Sequence, residues 1–329
     1  MKKNFKPLCF VLSVLMMVSI LINLNTGFVD LSFSDFWLGS PLYQEIADLR
    51  INRTLAVLLA GVSIPTSGFL LQEYFKNPLA GPSVLGITSV AGLFVAFYLL
   101  ASQNIPVPEF LQNGFISLSA VAGALLLMVF LVFLSHFFRD GAHLVIFGFL
   151  VSALSGAVIS ILQFYAGNES LRGYLLWSFG GNIQLERPQL FILALLIFLG
   201  LVLTFKSIKP LIGMGLGENY ARSFGVDVHR LKILVIMASS LLSASVTAFL
   251  GPVLFIGVIV PHFCRMIWNP AQLWHQWMLN MLLGVLVMNI FSALSEKFQL
   301  PANIISSLFG IPVLLVMLLR QKFIKSSLK

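Results

Sequence analysis

Residues 67–82 read Ser67-Gly68-Phe69-Leu70-Leu71-Gln72-Glu73-Tyr74-Phe75-Lys76-Asn77-Pro78-Leu79-Ala80-Gly81-Pro82, and the stretch continues to Leu85-Gly86. An apolar run near 54–72 leads into it and another near 83–103 leaves it. Pro78 and Pro82 have no backbone donor and disfavour helix in the residue before them, so one helix must end here and another begin. Each flanking run is close to the roughly 20 apolar residues that cross about 30 Å of hydrocarbon at about 1.5 Å per residue. The stretch is thus the turn between two membrane spans, and its glycines permit close helix packing in lipid.

Runs of the same kind recur near 8–24, 112–135, 143–166, 189–205, 233–250, 252–268, 275–295 and 302–319, which makes ten spans with the first two. The cut between the seventh and eighth falls at Gly251-Pro252, inside one long apolar stretch. Composition agrees: 58% of the 329 residues are hydrophobic and 10% charged, with a mean hydropathy of +0.97. Soluble domains carry about 25% charged residues, and so large an apolar surplus needs lipid to solvate it. The fold class expected is an all-α polytopic membrane protein. The N-terminal run resembles a signal peptide but lacks a small-x-small cleavage site, which makes it an uncleaved first span.

Ten spans put both termini on one side, and Lys and Arg choose which. With the termini in the cytoplasm, fifteen positives lie inside (Lys2, Lys3, Lys6, Lys76, Arg139, Lys206, Lys209, Arg222, Arg230, Lys232, Arg265, Arg320, Lys322, Lys325 and Lys329) and five outside (Arg50, Arg53, Arg172, Arg187 and Lys297). The positive-inside bias fixes that orientation, and spreads the net charge of +8 between spans rather than in a nucleic-acid patch. Arg50 and Arg53 stand on the disfavoured side at the mouth of the second span. No linker divides the chain, which reads as one transmembrane domain over 1–329. Its longest polar stretch, Lys206–Lys232, is too short for a nucleotide-binding domain, so any ATP chemistry belongs to another chain.

Two further stretches carry information. Gly215-Leu216-Gly217-Glu218-Asn219-Tyr220-Ala221-Arg222-Ser223-Phe224-Gly225-Val226 is punctuated by glycine, and Glu218 through Phe224 has the makings of a short interfacial helix. Its glycines resemble a phosphate loop, but no P-loop Lys and Ser follow and no strand precedes. Gly251-Pro252-Val253-Leu254-Phe255-Ile256-Gly257-Val258-Ile259-Val260-Pro261-His262-Phe263-Cys264-Arg265 is the second. His262 reads as a packed residue, since no second histidine or carboxylate lies at metal-ligand spacing. His136, His143, His229 and His275 are equally isolated in sequence, and Cys9 and Cys264 form no metal or disulfide pattern.

Three stretches in order, Arg50-Ile51-Asn52-Arg53-Thr54-Leu55-Ala56 with its continuation through Gln72, Asn77, Pro78, Pro82 and Gly86, then the 215–226 loop, then Gly257, Pro261, His262 and Arg265, resemble the signature of the FecCD-type permease family of ABC importers, which serve iron-siderophore, haem and vitamin B12 uptake. The resemblance implies a ten-span subunit of the cell inner membrane, paired with a second permease copy, most simply as a homodimer. It implies two ATPase subunits holding ATP and Mg inside, and a periplasmic or lipoprotein substrate-binding protein outside; this chain itself holds no cofactor. Arg50 and Arg53 are then the docking residues for the binding protein, suited by the forked, permanently charged guanidinium. The 206–230 loop, through Gly217, Glu218, Ala221, Arg222 and Gly225, couples to the ATPase. By the same resemblance the fifth and tenth spans line the pathway, and Gly310 and Pro312 permit a bend in the tenth.

The chain departs from the family pattern in two places. After Arg265 the family continues toward G-x-D-H-R, where this chain has Asn269-Pro270-Ala271-Gln272; and Ser292 stands where the family often has an outer arginine, leaving Lys297 as the nearby positive charge. Breaks at 77–86 and 251–261 are in corresponding places if spans 2–5 and 7–10 are inverted repeats. The competing function is an ion-coupled secondary transporter, which usually needs a membrane-embedded carboxylate; every Asp and Glu here falls at a span end or in a loop. An integral-membrane enzyme would need a His, Asp and Glu cluster at one depth, and the sequence shows none.

Overall fold

A computed structural model of the protein describes residues 5–27, 29, 31, 40–101, 109–138, 141–180, 185–215, 217–268 and 272–326. Expectations resting on Lys2, Lys3, Arg139, Leu216, Asn269-Pro270-Ala271 and Lys329 lie outside them. Within the described residues the regular elements are all helical: α1 (Phe5–Asn25), α2 (Pro41–Phe75), α3 (Ile87–Ala96, extended by a π turn Phe97–Ala101), α4 (Glu109–Phe137), α5 (Gly141–Tyr165), α6 (Asn168–Ser178), α7 (Arg187–Met214), α8 (Glu218–Ser223), α9 (Val228–Leu250), α10 (Ile256–Ile267), α11 (Leu273–Phe298) and α12 (Ala302–Ser326). Helix is the outcome that lets an apolar chain satisfy its backbone in lipid without outside partners.

Seven of these, α1, α2, α4, α5, α7, α9 and α11, are long and apolar enough to cross a membrane, and three apolar helices are shorter. Each of the ten expected runs meets one of these helices, but their lengths differ. The run at 252–268 gives the 12-residue α10, about 18 Å long at 1.5 Å per residue and too short to cross alone. The run at 54–72 lies inside the 35-residue α2, so Arg50 and Arg53 sit in a helix rather than at its mouth. The sixth run, 189–205, extends to Met214 and absorbs Lys206, Lys209 and Pro210, which trims the expected 206–230 loop to the residues after α7. The short α6 between the fifth and sixth runs was not anticipated.

The core is α2, packed on α9, α10 and α11, with α7 and α3 beyond. Close approach there depends on glycine. A methyl at Gly68 would overlap the Gly257 carbonyl, and one at Gly61 would lie 2.6 Å from Val285 Cα. Pro65 inside α2 has no N–H for the Gly61 carbonyl four residues back, and that carbonyl faces Gly284 of α11. The cut at Gly251 is where the sequence places it, with φ 82; its backbone turns against Trp177 O and Gly180. Phe255, starting α10, has φ 66, a costly region for a bulky side chain.

Candidate functional site

Gln72, Gly257 and Arg265, far apart in sequence, meet where α2 crosses α10. Pro261 lies in the sixth position of α10 and cannot donate to the Gly257 carbonyl. The Gln72 amide, 3% exposed, approaches that carbonyl at 3.5 Å and donates to Val258 O at 3.2 Å. Its oxygen accepts from Arg265 Nη2, while Arg265 Nη1 pairs with Glu73 Oε1 at 3.2 Å. Glutamine fits because it supplies a donor and an acceptor from one planar group. Pro82 packs on the same spot, with Cδ 3.3 Å from where a Gly257 methyl would stand. His262 is half-buried beside it.

The turn itself is built by Asn77, whose Oδ1 accepts from Leu79 N at 3.0 Å and whose carbonyl accepts from Ala80 N at 3.0 Å. Lys76 closes α2 in the left-handed region at φ 48, and Pro78 prevents the helix from resuming. Gly86 needs its φ of 83, and a side chain there would strike Gly148 O of α5 at 2.9 Å. On either side of Lys76 lies a cleft, one of about 400 Å³ toward Arg265 and one of about 980 Å³ toward His229.

The glycine-punctuated loop projects from this same face. Gly217 (φ 113) starts α8 and Gly225 (φ 79) ends it, positions that an L side chain occupies only with strain. Ala221 is fully buried beneath the helix, whereas Tyr220 and Phe224 are 63% and 71% exposed. Glu218 and Arg222 pair one turn apart at 2.7 Å. Asp227 caps α9 by accepting from Arg230 N at 3.0 Å, and that backbone bond holds its carboxyl below the usual range. The result is a short protrusion with two exposed apolar side chains at its tip. Sequence reasoning missed Lys232 beside it. This ammonium is buried and donates to Ser135 O at 2.6 Å and Phe138 O at 2.8 Å. It closes the last turn of α4, where free carbonyls and the helix dipole favour a cation.

At the opposite face, Arg50 and Arg53 are 4% and 6% exposed. Arg50 donates to Leu24 O and Asn25 O at 3.3 Å and to Val29 O. Arg53 donates to Asn23 O at 2.7 Å and Thr26 O at 2.8 Å, and pairs with Glu296 at 2.8 Å. Both therefore tie the end of α1 to α2, and Arg53 also ties it to α11. Ser292, in the place of the family's arginine, donates to Asn23 Oδ1 at 3.1 Å, and Asn23 donates to Asn289 at 2.9 Å. Lys297 is exposed. Facing groups on three helices have no mark in a linear sequence, which is why this network was not foreseen. Gly310 packs against Phe255, whose Cβ would be 2.7 Å from a methyl there, and Pro312 lies inside α12.

Among the described residues no three His, Cys, Asp or Glu side chains gather as metal ligands. The comparisons with known proteins agree with the helical architecture. The model of the FecCD transport family matches residues 15–320. The hemin transport system permease protein HmuU of Yersinia pestis is 28% identical over 321 residues, covering 94% of this chain and 95% of that one. A vitamin B12 import system permease protein, BtuC of Yersinia enterocolitica, is 30% identical over 327 residues, covering 95% and 93%. Among solved structures, an inward-facing metal-chelate type ABC transporter described as putative superposes with a TM-score of 0.82 at 24% identity, over 96% of this chain and 99% of that one, which shows the fold. This multi-pass membrane chain belongs to the FecCD transport family, whose members are permease subunits of ABC transporters and not enzymes.

Proposed function

We propose that the chain is the permease subunit of an ATP-driven importer that moves an iron-siderophore, haem or cobalamin-type chelate across the inner membrane by alternating access. The observation that carries this reading is the family match over 15–320, joined to a relative that transports hemin and another that imports vitamin B12. The chain supplies spans and no fuel. ATP and Mg belong to two ATPase subunits, which press on α8 through Gly217, Glu218, Arg222 and Gly225, while buried Ala221 seats the helix on the chain beneath it; the exposed Tyr220 and Phe224 favour that contact. On this reading the face carrying α8 is cytoplasmic, as are both termini, the ten apolar runs are ten spans, and spans 2–5 and 7–10 are inverted repeats.

A second copy packs against this one, with α5 and α12 along the pathway and Gly310 and Pro312 as the bend in α12. The binding protein docks at the opposite face around Arg50 and Arg53. Because both guanidiniums are engaged in the single chain, docking there requires Arg53 to exchange Glu296 for a carboxylate of the partner, and exposed Lys297 supplies a rim charge that steers the encounter. The test is reconstitution in vesicles with the ATPase and binding protein. Uptake of hemin or cyanocobalamin should require ATP on the α8 side. Accumulation driven by an ion gradient with this chain alone would overturn the reading in favour of a secondary transporter.

A further inference from the structure

The larger cleft beside α8 has an arrangement that coupling to an ATPase does not account for. Among the described residues it is lined by Lys76, His136, Arg222, His229 and Lys232, with Glu218 as the one acid. The two imidazoles meet edge to face, with ring centroids 4.6 Å apart. Lys232 spends two of its three ammonium donors on Ser135 O and Phe138 O, which leaves one donor in a side chain only 5% exposed. Arg222 and Glu218 neutralise each other at 2.7 Å with both side chains at least half exposed, so an arriving anion competes for that guanidinium at little cost. Counted over its described residues, the cleft therefore has an excess of positive charge and a Lys232 donor beyond the two spent on carbonyls.

The rest of the lining is mixed: Tyr74, Asn77 and Ser135 add polar atoms, and Phe75, Val145, Ile146 and Met214 lay apolar wall beside the cations, with Ile146 58% exposed. Helix α4 on its rim continues that surface away from the cleft, with Phe133 and Phe137 57% and 67% exposed. On a spanning helix outside the pathway such side chains lie against hydrocarbon, which brings acyl chains to the rim of the cleft. Basic pockets between spanning helices at the membrane surface select anionic headgroups.

We propose that this cleft is a binding site for a phosphate-bearing anionic phospholipid, its headgroup held by Lys76, Arg222, His229 and Lys232 and its acyl chains laid along α4. The site does not depend on which cargo is carried. A lipid seated there touches α8 and the α2–α3 turn together, and so stiffens the element on which the transport reading places the ATPase.

The full-length protein, purified in a neutral maltoside detergent, is titrated with dioleoyl phosphatidylglycerol or dioleoyl phosphatidylcholine in mixed micelles, with thermal midpoint and retained lipid by native mass spectrometry as readouts. Phosphatidylglycerol should bind tighter, and each cation removed should weaken it roughly five-fold. Lys76→Glu with His229→Glu should abolish the preference, Lys76→Arg should keep it, and Arg172→Glu at the opposite face should leave it unchanged. In the unmodified protein the preference should shrink as salt rises from about 50 to about 500 mM. Equal binding of both lipids, a preference that survives the double glutamate variant or ignores salt, or the same shift from inorganic phosphate alone would overturn the proposal. So would a double variant that keeps its lipid preference but loses the ATPase subunits in lipid-free micelles, since the cleft would then be a protein contact.

Discussion

Helices α2 and α5 are both apolar, and the structure treats them in opposite ways. In α2, 78% of the most apolar 18 residues are buried; in α5, 17% are. The inner faces of α2 carry Gly61, Ser63, Ser67 and Gly68, with Ser67 Oγ bonded to Ser239 O at 2.9 Å and Ser63 Oγ to Leu242 O at 2.8 Å. In α5, Phe149, Leu154, Ile161 and Phe164 point away from the chain, and a methyl on Gly156 would meet nothing within 4 Å. Both are apolar enough to span, and the buried helix is the less apolar of the two, so hydropathy marks spans without saying which lie inside, because lipid tails and a helix interior are both apolar. Side-chain size does: small residues let backbones touch, while large ones fill space against lipid or another copy.

The sharpest way to break this contrast is Gly68→Val. Its side chain must displace the Gly257 backbone, so we expect destabilisation of about 3 kcal/mol or more, read as loss of monodisperse protein in detergent and a lowered thermal midpoint. A normal midpoint would show that α2 and α10 can separate freely. Next in size is Lys232→Met, which strips Ser135 O and Phe138 O of their donor and should cost about 2 kcal/mol. Faster backbone exchange confined to the end of α4 would locate the damage there.

Smaller again is Glu296→Gln, which keeps an acceptor for Arg53 but removes the opposing charge. A loss of about 1 kcal/mol is expected, coupled to Arg53→Lys in a double-mutant cycle; additive losses would mean the pair does not bind α2 to α11. Smallest is Gly156→Ala. In an unencumbered helix it should gain about 0.5 kcal/mol. A loss in the assembled transporter, absent in the single chain, would reveal that a second copy covers that face of α5.

Much of this was readable in the linear order of residues. Prolines at 78, 82 and 252 mark helix ends, and Gly217, Gly225 and Gly86 stand where backbone of positive φ is needed. The motif residues Gln72, Gly257 and Arg265 were recognised as a set, but their bonds to one another were not. Helix limits were less legible where the chain continues past its apolar run: α2 begins thirteen residues before the expected start at 54. Charge at a helix end looks the same in sequence whether it meets water or a buried carbonyl, so Lys232 passed for a topology charge and Arg53 for a rim residue.

The sequence by itself determined a helical membrane chain, the sites of most of its breaks and the family it belongs to, because hydropathy, proline and glycine act locally. Only the tertiary structure decided which apolar helices lie inside, which cations are buried, and that Lys76, His136, Arg222, His229 and Lys232 share one cleft. Those outcomes depend on which surfaces two helices present to each other, and that is a property of their packing.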